Sequence, residues 1–488
     1  MHESFVDRVH GNRALIEVKA RSLYFALNVD TPDDDARSRA KDYLGSQLRA
    51  AQDAPCALPE DPSKLNEWMI AGVDEVGQSY RDYLGGRRKG EPRRYFPTRA
   101  HALAFLQRVA PTKMVDGAWL YGTLERWHEA AFRPLITTYL EELGSGIEQK
   151  NHVALYKSLL TAEGCEQWGN LSDKHFIQGA IQLSLAWNVE HFLPELIGFN
   201  LGYEQLPLHL LITSYELNEL GIDPYYFVLH VTVDNASTGH ALKAIEALHA
   251  LMPRVGDTAE FYRRVRNGFL LNELGVSTNQ VIASFDLDAE LVRVLAAKSS
   301  VGKHMHSDYC KLAGRTVNAW LAEPAQIPAF LEQLVGAGWI RRGARAEESR
   351  FWRLIQGENA EMFGVFTAYE QEVLRAWIEH PKFRDPGAVD TSPRPPSHRA
   401  LRRMRETSFA SAQRPSRNSA RPLLGRHAAG ALRDDQGFGS DMRLLEQQLA
   451  NMESKQEAMR HLRTLMSPAL HHTPAGLMAT RIFQRMLE

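Results

Sequence analysis

Between residues 97 and 270 apolar side chains recur every three to four positions and almost never alternate, which is the strongest constraint on what this chain can become. Such a stripe buries one face of a helix, whereas a half-buried strand needs alternation. Helical runs are predicted over Thr98–Arg108, Trp119–Leu143, Ala154–Leu160, Lys174–Glu190, Phe192–Leu220, Pro224–Leu251 and Asp257–Leu274. Gly144 and Gly146 suit a C-cap after Leu143. Strand-like pieces are short, as at 231–233. The expected fold class is all-α, built as a helical bundle.

The 488 residues exceed one ordinary domain and divide by character. Residues 1–94 read as a helical lead-in with a charged, turn-rich piece at 85–94. The bundle occupies 95–275. An aromatic-rich helical unit follows over 285–380, with Trp320, Trp339, Phe351, Trp352, Phe363, Phe366, Tyr369 and Trp377 expected in its core, and a short hairpin admitted. It either caps the active site or mediates dimerisation, and a homodimer is the expected assembly. Residues 381–440 hold 12 Lys/Arg against 5 Asp/Glu, a local charge of +7, so the rest of this −2 chain carries −9. Rich in Pro, Ser and Arg and poor in large apolar residues, the segment is predicted to be a disordered linker. Amphipathic helices close the chain over 441–488, with Leu444, Leu445, Leu449, Met452, Met459 and Leu462 at core-like spacing.

Near-neutral charge argues against a protein dedicated to nucleic acid, and the Arg-rich stretch 394–433 lacks interleaved aromatics. No apolar run approaches 18 residues, so no transmembrane helix and no membrane partner are expected. The N-terminus lacks the apolar core of a signal peptide. Cys56, Cys165 and Cys310 stand far apart, without a disulfide framework or a CxxC clamp. A cytoplasmic protein fits these features.

Chemistry concentrates in three stretches. GIDPYYFVLHVTVDNASTGHALKAIEAL, residues 221–248, carries His230 and Asp234 four apart, on one face of a helix. His240 follows six later, out of alignment unless the helix is distorted, for example by a π-bulge near Asn235–Gly239. Upstream, YLEELGSGIEQKNHVALY offers Glu141, Glu142 or Glu148 before His152, across a glycine-containing break. Between them Glu204 sits in an otherwise apolar helix, where a buried carboxylate is costly unless paired or metal-bound. Glu142, His152, Glu204, His230, Asp234 and His240 thus form an ordered carboxylate–imidazole set without thiolate, which suits iron or manganese. Inward-facing Glu and His on the helices of a bundle can hold a dimetal centre.

This order, Glu…His, then Glu, then His-x3-Asp…His on a helical scaffold, resembles the haem-oxygenase-like diiron oxidases and oxygenases, the iron-containing redox enzyme family. LEELGSG…NH and YFVLHVTVDNASTGHA look close to that family's metal-binding helices, and the similarity covers roughly residues 95–270. The resemblance implies a haem-oxygenase-like bundle with an additional, mainly helical C-terminal unit. It implies two Fe(II) per chain, held by Glu142 and His152, by Glu204, and by His230, Asp234 and His240. O2 would be the co-substrate, and a small organic molecule would undergo N-oxygenation, desaturation or C–C cleavage. Asp116, in MVDGAWL, is an additional candidate ligand, because some members recruit a carboxylate there. Trp119, Tyr121 and Trp127 are candidate lining of the substrate pocket. One departure stands out: many members place the last His three residues after the Asp, where this chain has Ser237. Either His240 serves through an insertion, or the second iron site is altered.

Competing readings follow from the same residues. Glu125 and His128 have the spacing of a ferritin-like pair but lack its second half, and read as an exposed helix pair. His304 and His306 lack a third ligand, and His471 and His472 are expected to be solvated. Haem-oxygenase-like folds also include haem oxygenases and cofactor-free oxidases, for which the six ligand-type residues would be surplus. A non-enzymatic scaffold, recruiting a partner through its basic linker and C-terminal helix, is the third reading.

Overall fold

The computed structural model describes residues 19–233, 239–357, 359–383, 397–402 and 443–487. Twelve helices precede the aromatic-rich unit: α1 (Ala20–Leu27), α2 (Asp34–Ala51), α3 (Leu65–Arg88), α4 (Arg99–Lys113), α5 (Arg133–Glu142), α6 (His152–Glu163), α7 (Ile177–Ala186), α8 (Val189–Tyr203), α9 (Leu208–Glu219), α10 (Tyr225–Val233), α11 (His240–Leu251) and α12 (Thr258–Leu270). The unit that follows holds α13 (Thr278–Ala283), α14 (Leu287–Gly302), α15 (Val317–Leu321), α16 (Ile327–Gly336), α17 (Arg350–Ile355) and α18 (Ala368–Ile378). Residues 443–450 are helical too, and α19 (Lys455–Leu465) and α20 (Pro474–Leu487) end the chain. The strand pairing described is a two-residue ladder, Lys311–Leu312 against Arg315–Thr316. A short hairpin thus lies within the aromatic-rich unit. The fold is all-α, and no described helix is long and apolar enough to cross a membrane.

Four of the predicted runs are interrupted: Lys174–Glu190 breaks at Trp187–Asn188, between α7 and α8, and the other three break for a local reason each. Trp119–Leu143 is not one helix: residues Ala118–Arg126 wind as a 3-10 helix, Glu129 is extended, and α5 starts afresh with Pro134 in its first turn. Proline fits there because the first amides of a helix lack intrahelical partners anyway. Phe192–Leu220 breaks at Pro207, which is extended and cannot donate the helical hydrogen bond. Glu204 therefore caps the C-terminus of α8 instead of lying within a continuous helix. In Pro224–Leu251, α10 ends at Val233 and α11 starts at His240, with the extended Gly239 as its N-cap. Asp234 and residues 235–238 of the bulge proposed near Asn235–Gly239 lie outside the described residues.

The helices bury two hydrophobic cores. One joins α1, α2, α5, α7, α8, α11 and α12 to the C-terminal helices, with Trp119, Tyr139, Phe199 and Phe483 sealed inside. The other joins α4, α6, α9 and α10 to α14, α16, α17 and α18, around Phe96, Tyr156, Trp352 and Tyr369. Each such fully buried apolar side chain contributes about 1.5–3 kcal/mol. The aromatic-rich unit is thus fastened to the outer side of α4. Glu290 anchors it, accepting from Tyr369 Oη at 2.5 Å, Arg293 at 2.6 Å and Arg108 at 3.1 Å. The aromatics predicted for its core divide: Trp320, Phe351, Trp352, Phe366, Tyr369 and Trp377 are buried, while Phe363 is 61% exposed.

The lead-in is no loose appendage, since Leu23, Tyr24, Leu27, Tyr43 and Leu44 enter the first core. The C-terminal helices enter it as well through Met459, Leu462, Met466, Met478 and Phe483. His471 is buried at 1% exposure and His472 is half-buried, which corrects the expectation that both are solvated. Docking of α20 against the turn after α5 encloses them.

Candidate metal centre

Glu142 and His152 face each other because of the link between their helices. Gly144, Ser145 and Gly146 all adopt left-handed backbone, φ 64°, 51° and 76°, and fold the chain back on itself. Asn151 then caps α6, its Oδ1 accepting from Ala154 N at 3.0 Å, a contact worth about 1 kcal/mol. Its Nδ2 donates to Leu143 O at 3.3 Å, so one amide side chain ties the end of α5 to the start of α6.

Two groups of ligand-type atoms result, each lying within 4.8 Å of one another: Asp116, Glu142, His152 and His230 in the first, and Glu142, Glu204 and His240 in the second. All six residues are buried, and Glu142 belongs to both groups. In the first, His152 Nδ1 lies 2.5 Å from Glu142 Oε2 and 3.8 Å from Asp116 Oδ2, and His230 Nε2 lies 3.0 Å from Asp116 Oδ2. In the second, His240 Nδ1 lies 3.1 Å from Glu142 Oε1 and 3.0 Å from Glu204 Oε2. The residues come from both sides of the seam between the cores: α5, α8 and α11 from the first, α6 and α10 from the second.

Outer partners orient the donors. His230 Nδ1 is 2.8 Å from Tyr226 O; a carbonyl only accepts, so Nδ1 carries a proton there and Nε2 is the nitrogen turned toward Asp116. Asp116 accepts from Tyr226 Oη at 2.5 Å and from Tyr203 Oη at 3.0 Å. His240 Nε2 is 2.9 Å from Glu141 Oε2, which also pairs with Lys243. That is the carboxylate–imidazole arrangement that fixes tautomer and ring orientation at metal sites.

The electrostatics are those of a cation site. Burial would push Asp116 up, but Lys113, His230 and His152 outweigh it and hold its carboxyl well below the usual range. Burial would likewise raise Glu142, and His152 and His240 override it, again well below the usual range. Burial opposes a charged His152, yet Glu142 and Asp116 raise its pKa. Three buried carboxylates crowd three imidazoles, each with a ring nitrogen turned toward a carboxylate oxygen. Carboxylate oxygens and imidazole nitrogens gathered in this way are the donor types that suit a divalent first-row cation. No cysteine belongs to either group.

Of the six residues expected as ligands, Glu142, His152, Glu204, His230 and His240 converge, and Asp234 lies outside the described residues. Asp116 stands inside the first group, while Glu148 is exposed and remote from the donors. Trp119 and Tyr121 are packed in the first core, Trp119 Nε1 donating to Asn200 Oδ1 at 2.9 Å. Trp127 is half-buried at the far end of the 3-10 run, where it lines a surface cleft of about 700 Å³ with Met459 and Arg463. That cleft takes in Trp127 but neither Trp119 nor Tyr121. Glu125 is paired with Arg463, and neither it nor His128 joins a metal-type group among the described residues, and the same holds for His304 and His306. The sequence offers Glu141 only as an alternative to Glu142, and gives Asn151, Tyr203 and Tyr226 no role. Only Tyr226, four residues before His230, left a local signal.

Fold and site together define an all-helical protein with a buried carboxylate–imidazole centre of metal-binding type. Residues 103–272 match the model of the family described as iron-containing redox enzyme. Every described member of the two groups falls within it. No curated protein and no solved structure matches the chain.

Proposed function

We propose that the protein is a non-haem diiron oxidase or oxygenase that uses O2 to oxidise a small organic substrate by N-oxygenation, desaturation or C–C cleavage. The observation that carries this reading is the sharing of Glu142, whose Oε2 faces the Asp116–His152–His230 group while Oε1 faces His240. A carboxylate presented to two donor groups at once is what a pair of adjacent metal ions needs. Asp116, Glu142, His152 and His230 would hold one iron, and Glu142, Glu204 and His240 the other. Asp234, carried over from the family resemblance, is proposed as a further ligand of this centre.

Iron bound there supplies the activation of O2 and the oxidising power. The chain's own residues do the rest. Tyr203 and Tyr226 fix both oxygens of Asp116, and the Tyr226 carbonyl keeps a proton on His230 Nδ1. Glu141 and Lys243 hold the far nitrogen of His240. Trp119, Phe199 and Tyr203 pack face and edge around the centre, with ring centroids 4.4–5.6 Å apart, and exclude bulk water from it.

Anaerobic loading with Fe(II) tests the reading. About two Fe per chain are expected from two donor groups, followed by a transient visible band when the ferrous protein meets O2. Protein that takes up no iron after anaerobic loading, or that binds haem with a Soret shift instead, overturns it.

A further inference from the structure

Several hydrogen bonds join the C-terminal segment to the unit that carries Glu142 and His152. Arg133, the first residue of α5, donates from Nη1 to Leu487 O at 3.0 Å, and Tyr139 Oη, one turn before Glu142, donates to Met466 O at 2.7 Å. At the turn, Arg481 Nε donates to Gly146 O at 2.8 Å. The contact is so close that a Cβ on Gly146 would lie 2.3 Å from Leu477 O, and only glycine fits beneath α20. Asn151 Nδ2, which ties α5 to α6, lies 3.1 Å from His471 Nδ1 and 3.5 Å from His471 O. Both Asn151 and His471 are sealed from solvent. The amide donates, so the unprotonated Nδ1 of His471 accepts.

The span between Glu142 and His152 is irregular backbone, with three consecutive left-handed residues that nothing in a helix ladder would hold. Its geometry is set from outside, by residues more than 300 positions away in the chain.

We infer that the C-terminal segment is a clamp on the metal centre, with His471 a positioning residue that acts through Asn151 to set His152 against Glu142. The inference rests on the reading that these two residues are metal ligands. It assigns to the end of the chain a role in forming the site, although the segment lies beyond the stretch that matches the family.

The experiment is a Co(II) titration of the full-length protein and three variants, followed by the visible d–d bands, with helicity and thermal unfolding measured in parallel. Wild type is expected to bind two Co(II). His471→Ala is expected to keep its helicity but to bind one of the two ions about 10–100-fold more weakly, the usual effect of losing an outer-shell partner. His471→Gln, whose side-chain oxygen can accept from Asn151, is expected to restore affinity to within about threefold of wild type, because one neutral hydrogen bond is worth roughly 1 kcal/mol. Should His471→Ala fail to fold, Arg481→Ala, at an exposed side chain, carries the test through Gly146, and a weaker first ion is again expected. Wild-type affinity in a folded His471→Ala protein, or a loss that His471→Gln does not repair, overturns the clamp while leaving the metal reading intact. Folded wild type that binds no Co(II) overturns both.

Discussion

Gly117 and Glu142 stand so close that a Cβ on Gly117 would lie 2.8 Å from the Cβ of Glu142. Gly117 also has φ 77°, a left-handed conformation that costs other residues about 1–2 kcal/mol. The glycine follows Asp116 directly, so it allows two carboxylates from different segments to face one centre. Gly117→Ala is expected to destabilise the fold by at least that amount and to push Glu142 away from His152. Urea unfolding measures the first effect and Co(II) affinity the second. A variant within about 0.5 kcal/mol of wild type, the usual scatter for neutral surface changes, would show that the contact relaxes without consequence.

Sharing of Glu142 between the two groups makes its removal different in kind from that of any other ligand. Glu142→Gln keeps the size of the side chain but removes the charge that both His152 and His240 face. Metal content is expected to fall from about two ions to one or fewer, whereas Glu204→Gln, which touches one group, should spare the first ion. Elemental analysis after desalting decides between them. Equal losses from the two substitutions would mean that Glu142 does not bridge.

Why some of this was legible in sequence and some not has physical causes. Carboxylates and imidazoles in apolar helices are costly, so Glu204 and His230 drew attention by type alone, and their order along the chain added the rest. Asp116 entered by family resemblance, because one aspartate in MVDGAWL has no periodic neighbour to mark it. Glu141 could not be told from Glu142 by spacing: adjacent residues on a helix end point about 100° apart, and packing decides which faces inward. The 3-10 winding of 118–126 also has apolar residues at three-residue spacing, which a helical pattern absorbs. His471 and His472 follow a turn-like stretch and looked solvent-facing. Their burial depends on docking of α20 against Gly146, a contact between residues more than 300 apart.

The charge states of the centre lead to an expected pH dependence. The pKa of His152 is raised in the folded protein, so its stabilisation of the metal-free fold is complete below the ordinary imidazole range and is lost as pH rises through the raised value. Asp116 and Glu142 are held down, so theirs is present above the ordinary carboxylate range and lost only as pH falls through the depressed values. Metal-free protein should therefore lose stability on the alkaline side of neutrality. Metal must displace the proton on His152, so metal affinity should rise with pH over the same window. Thermal unfolding of chelator-treated protein from about pH 5 to 9, a range spanning the ordinary imidazole pKa, measures the first trend. Competition against a chromophoric chelator measures the second. Metal affinity that is flat or falls with rising pH would sink the assignment of His152 as a ligand.

Glu141 offers a test of the second group that leaves every proposed ligand in place. Its Oε2 lies 2.9 Å from His240 Nε2 and also pairs with Lys243, while Nδ1 of the same imidazole faces Glu142 and Glu204. Burial would raise the Glu141 carboxyl, but His240 and Lys243 outweigh it and lower its pKa, so it is ionised at neutral pH. An ionised carboxylate on the far nitrogen makes the near nitrogen a better donor and fixes the ring. Glu141→Ala should therefore weaken the ion bound by Glu142, Glu204 and His240 about 10–100-fold and leave the Asp116–His152–His230 ion within a few-fold of wild type. Lys243→Ala removes only a partly exposed ion pair, worth about 0–1 kcal/mol, and should have a smaller effect on the same ion. Stepwise Co(II) titration separates the two sites, and equal weakening of both ions in Glu141→Ala would mean that the carboxylate acts through the fold and not through His240.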